Sequence, residues 1–157
     1  MKSKLYMAVI FFAVVLFAFT QKSDGMIKTL SLSEMISKAD YIVIAEAYQI
    51  TKTGNTPNGK AAILRNELKV IEALKGTILP DASIAINTFK AEYWIEDNVE
   101  LPLPGSRVFL FLNKNEKGEY NPVNGIQGVW PIKANKFSGM GTRYKLDDIR
   151  TMINQTK

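Results

Sequence analysis

A chain that carries an export signal and no cysteine must hold itself together by core packing alone. Small exported domains often use disulfides in place of a large core, and that route is closed here. The signal is an unbroken apolar run from Leu5 to Phe19, preceded by Lys2 and Lys4 and followed by polar Thr20, Gln21, Lys22 and Ser23. Charged, apolar and polar regions in that order make a secretory signal peptide. Basic residues stay on the cytoplasmic side while the apolar run enters the translocation site. The run is short of the roughly 20 apolar residues that a permanent spanning helix wants.

Small residues locate the cut. Ala18 and Thr20 fit the −3 and −1 sites, so residues 1–20 form the signal and the mature chain starts at Gln21. Ser23 and Gly25 offer a second site, with Met26 first. The alternative is an uncleaved anchor, the one route by which this protein would be held at a membrane. A lipoprotein anchor needs a lipidated cysteine and is excluded. The expected location is secreted or periplasmic, with residues 26–157 forming one domain large enough for its own core.

Loss of Lys2 and Lys4 from the 20 basic residues leaves 18 against 15 acidic, a net of +3. The positive charges are scattered; the densest clusters are Lys133 with Lys136 and Arg143 with Lys145. Nucleic-acid binding wants a dense stripe or patch, so no nucleic-acid partner is expected.

The mature domain opens with a helix. Ser31 to Glu34 forms a capping box, and Leu32, Met35, Ile36 and Ala39 make one apolar stripe that Asp40 ends. Tyr41 to Thr51 is rich in β-branched and aromatic residues and predicts a long strand whose first half is buried on both faces. Thr53 to Lys60 marks a turn. Ala62 to Leu74 fits two periods: Leu64, Asn66, Leu68 and Val70 alternate as in a strand, while Leu64, Leu68, Ile71 and Leu74 repeat as in a helix. Its place between two strands favours the strand.

Ser83 to Phe89 alternates, with Ile84, Ile86 and Thr88 facing one way. Lys90 to Ser106 is irregular, because Pro102, Pro104 and Gly105 block helix and central strand. Arg107 to Leu112 reads as a central strand. Tyr120 to Val123 and Gly128 to Ile132 are shorter strands, and Pro131 puts the latter at an edge or strand end. A C-terminal helix runs from Leu146 or Asp147 through Asn154, burying Leu146, Ile149, Met152 and Ile153. The fold class is mainly β: a small barrel or strongly curved antiparallel sheet of five or six strands, with a short N-terminal and a C-terminal helix.

Three segments add a resemblance. Ala39-Asp40-Tyr41-Ile42-Val43-Ile44-Ala45 resembles the opening strand of small exported bacterial proteins with an OB-like barrel. Val70-Ile71-Glu72-Ala73-Leu74-Lys75-Gly76 resembles their second strand with its Leu-Lys-Gly ending. Pro104-Gly105-Ser106 followed by Arg107-Val108-Phe109-Leu110-Phe111-Leu112 is similar to a later strand of the same group. Tissue-inhibitor-of-metalloproteinase-like domains share this plan, and the resemblance implies an OB-like barrel. It implies no functional residue. Those inhibitors meet the target's zinc through an N-terminal cysteine, and this chain has none. Ala45-Glu46 also stands where the bacterial proteins often place a glycine.

Absence of histidine removes Ser-His-Asp and Cys-His catalysis. Carboxylates remain: Glu92, Glu96, Asp97 and Glu100 cluster beside Tyr93 and Trp94. Such a cluster usually solvates a loop, and it lacks the glycine of a calcium-binding loop. No metal or cofactor is expected. Tyr93, Trp94 and Trp130 are the candidate partner contacts, since aromatic faces stack on sugars and on protein side chains. Trp130, flanked by Val129 and Ile132, also reads as a core or barrel-end residue. The leading expectation is a non-enzymatic binding module whose partner is an envelope or extracellular protein or a polysaccharide. The alternatives are a carboxylate-based secreted hydrolase using the 92–100 loop, and a small-molecule carrier.

Overall fold

The computed structural model describes residues 28–91, 101 and 103–156. The signal segment and the acidic loop of residues 92–100 lie outside them. Element order is α1 (Leu32–Lys38), β1 (Tyr41–Asn55), β2 (Ala61–Lys75), β3 (Ser83–Ala91), β4 (Arg107–Lys114), β5 (Tyr120–Pro122), β6 (Val129–Lys133), β7 (Lys136–Phe137) and α2 (Leu146–Gln155).

Five of these strands close on themselves. β1 pairs antiparallel with β2, β2 with β3 and β4 with β5. β4 returns to β1 from Tyr41 opposite Leu112 to Glu46 opposite Arg107. The ring is completed by one parallel pair, Ile86 of β3 with Tyr120 of β5. The circular order β1-β2-β3-β5-β4 is that of a small OB-like barrel. β6 adds to the first half of β4 on the edge that β5 uses further along, and β7 adds to β6. The two-residue β7 is an addition that its short, charged sequence does not signal.

Strand alternation sorts the apolar residues into two cores. Val43, Ala45 and Ala47 of β1, Leu68 and Val70 of β2, and Val108, Leu110 and Leu112 of β4 point into the barrel. The intervening Ile42, Ile44, Phe109 and Phe111 point outward, where α1, α2 and Trp130 cover them. β1 and β4 are therefore apolar on both faces because each separates two buried layers. The β-bulges in the β1–β2 pairing let these long strands coil around a narrow barrel. Ala61 to Lys75 is a strand throughout.

The helices are placed by local chemistry. The Ser31 hydroxyl accepts from Glu34 N at 3.3 Å, and the Glu34 carboxylate accepts from Ser31 N at 2.7 Å, closing the capping box. Lys75 Nζ donates to the Ile36 carbonyl at 2.7 Å and ties the other end of α1 to β2. Upstream, Gln127 exchanges hydrogen bonds with the Leu30 backbone in both directions, at 2.9 and 2.6 Å. That exchange fixes the start of the described chain against the barrel.

Candidate functional site

Among the described residues, a cleft of about 700 Å³ lies on the outside of the barrel. Its base is the outer surface of β1, β2, β4 and β6, and its far wall is the segment Thr142–Asp147 that leads into α2. Ile44 and Phe137, both buried, and half-buried Ile132 form an apolar floor. A bulge supplies the next part of the wall. Pairing steps from Ile44 opposite Glu72 to Ala45 opposite Val70, so Ile71 is an extra residue between them. Both Ile71 and Glu72 line the cleft, which regular alternation would forbid.

Four cations surround this floor: Arg107 at the start of β4, Lys136 in β7, and Arg143 and Lys145 in the segment before α2. All four are exposed. Arg143 lies over the ring of Tyr144, 4.9 Å from its centroid. Two carboxylates share the lining, Glu72 and Asp147, and one residue holds both. Arg150 of α2 donates through Nη2 to Glu72 at 2.9 and 2.8 Å and through Nη1 to Asp147 at 3.2 Å. The bond to Glu72 raises the already high pKa of Arg150 further. Among the described residues, none of the four rim cations forms an ion pair. Arg107 has Glu46 opposite it in register, without such contact.

Trp130 belongs to the core below this cleft. Its side chain is 2% exposed, and its ring stacks on Phe109 and on Tyr144 at centroid distances of 5.6 and 5.4 Å. The indole N–H donates to the Gln127 carbonyl at 2.8 Å. Both stacking contacts are with core neighbours, the packing of the core or barrel-end residue that its sequence setting also allows. Gly141 lies so close that a Cβ there would come within 2.6 Å of the indole Cδ2. Tyr93, Trp94, Glu92, Glu96, Asp97 and Glu100 lie outside the described residues. Among the described residues no three carboxylates gather as a metal site.

The cations of the cleft were visible in the sequence only as the separate pairs Lys133 with Lys136 and Arg143 with Lys145. The hairpin β6–β7 and the turn before α2 bring members of both pairs to one floor, with Arg107 from a distant segment. No protein-family model matches this chain, and a search of curated proteins finds no match either.

Proposed function

We propose that this protein is an exported, non-enzymatic binding module that holds its partner in the cleft between the barrel and the segment leading into α2. The partner is an envelope or extracellular protein or a polysaccharide. The observation that carries the reading is the pairing of an apolar floor with a rim of cations that, among the described residues, form no ion pair. Binding sites combine apolar lining with a few placed polar groups in this manner, and 700 Å³ lies within their ordinary size. The likeness to tissue-inhibitor-of-metalloproteinase-like domains is one of fold and brings no functional residue with it. Their cysteine-dependent grip on zinc is not available to a chain without cysteine. A carrier function has one point in its favour, the cleft volume.

Mild cross-linking in the native envelope fraction, followed by mass spectrometry, tests this reading. The expected result is a defined adduct on the mature protein, which begins at Gln21 or Met26. Intact chain recovered from the cell interior with its initiator methionine would refute export. Capture lost in Trp94→Ala and retained in Glu92→Ala, Glu96→Ala and Asp97→Ala is the pattern of a binding loop. Turnover of a substrate that vanishes with one of those carboxylates would instead make the protein a hydrolase.

A further inference from the structure

We propose that the occupant of the cleft is an acidic peptide segment with aliphatic side chains, supplied by an exported partner protein. The inference rests on the binding-module reading and names the chemistry of what is bound.

Three features select this class. Ile44, Ile71 and Ile132 are branched aliphatic groups, and the two aromatic rings of the lining, Phe137 and Tyr144, pack on Trp130. Such a surface packs isoleucine, leucine or valine side chains, whereas sugar rings favour flat aromatic platforms with polar groups around them. The charges then set the sign. Among the described residues of the lining, the carboxylates Glu72 and Asp147 are both engaged by Arg150, which leaves the four rim cations to set the sign of the charge there. Their distribution sets the number of charges. Arg107, Lys136 and the Arg143–Lys145 pair come from three separate chain segments around one floor. A ligand with one head group satisfies one of these positions. A peptide carrying several carboxylates along its length satisfies all of them while its alternate side chains reach the floor.

The pairing also predicts kinetics. Exposed cations around a cleft speed the approach of an acidic segment and lose that effect as salt rises.

Fluorescence anisotropy with the purified protein reads this out. The probe is a labelled seven-residue peptide alternating glutamate and leucine. Controls replace leucine by serine or glutamate by lysine, and further titrations use dodecanoate and oligogalacturonate. Saturable binding of the glutamate–leucine probe alone is expected. Arg143→Glu with Lys145→Glu weakens it about tenfold, as does raising the salt concentration. Lys117→Glu, in the turn between β4 and β5, leaves it unchanged. Arg143→Gln with Lys145→Gln gives a smaller loss in the same direction and serves if the reversed pair does not fold.

Equal binding of the serine control, an equal loss in Lys117→Glu, or no binding of the probe would overturn the proposal. Preference for dodecanoate makes the site a carrier for amphiphiles, and preference for oligogalacturonate makes the partner a polysaccharide; either result also overturns it. Because partner capture in the envelope fraction is measured separately, failure here leaves the binding-module reading to stand or fall on that experiment.

Discussion

Leu74, Lys75 and Gly76 divide three structural duties among consecutive residues. Leu74 packs against the outer core, Lys75 bonds the end of α1, and Gly76 turns the chain at φ +84°. A Cβ on Gly76 would collide with the Tyr41 ring and come within 2.7 Å of the Asp40 carbonyl. Gly76→Ala is therefore expected to cost about 2–4 kcal/mol from the left-handed backbone and the overlap together, read as a lower urea midpoint. Ala134 presents the opposite case. With Asn135 it forms the β6–β7 turn at φ +47° and +61°, a conformation that favours glycine or asparagine. Ala134→Gly relieves this strain and should stabilise the protein by about 0.5–1 kcal/mol. Thermal unfolding would show a rise of a few degrees, and no rise would mean that the turn relaxes at little cost.

Among the elements, α1 was the most readable, because a capping box is local chemistry within four residues. Ser31 hydrogen bonds to the Glu34 carboxylate, backbone first, hold its pKa below the usual carboxylate value. The folded pKa is depressed, so the stabilisation is complete above the unfolded value of about 4.3. It is lost as pH falls through the lower folded value. Urea midpoints of wild type and Glu34→Gln should thus differ at neutral pH and converge in acid below that value. A gap that persists to pH 2 would mean the capping carboxylate contributes nothing through its charge. Ala61–Lys75 was legible only by its neighbours. Its apolar letters fit a helix and a strand, and pairing with β1 on one edge and β3 on the other decides for the strand. Irregularities such as the one that exposes Ile71 depend on that pairing and carry no local signature.

For the molecule as a whole, the two cores share the sheet between them, and Trp130 is the largest side chain of the outer one. Phe109, Phe111, Phe137 and Tyr144 all pack on its ring. Trp130→Ala should cost about 3–5 kcal/mol, a large part of the stability of an ordinary domain. Trp130→Phe should cost less and keep the fold. A tryptophan serving chiefly as an exposed contact would instead leave the unfolding midpoint unmoved when truncated. The same architecture explains the cleft. The helices cover the outward residues of β1 and β4 at one end, and the cover ends beside Ile44, where the wall before α2 stands apart from the sheet.

Sequence alone determined what depends on neighbours along the chain: the capping box, the strand runs with their alternating faces, the C-terminal helix, and the absence of thiol and imidazole chemistry. Periodicity and caps act over a few residues, so they can be read from the letters. Tertiary structure decided which face of each doubly apolar strand lines the barrel, that Trp130 packs in the outer core, and that Arg107, Lys136, Arg143 and Lys145 meet around one floor. Charges far apart in the chain become one electrostatic surface only when sheet pairing and turns set the distances between them.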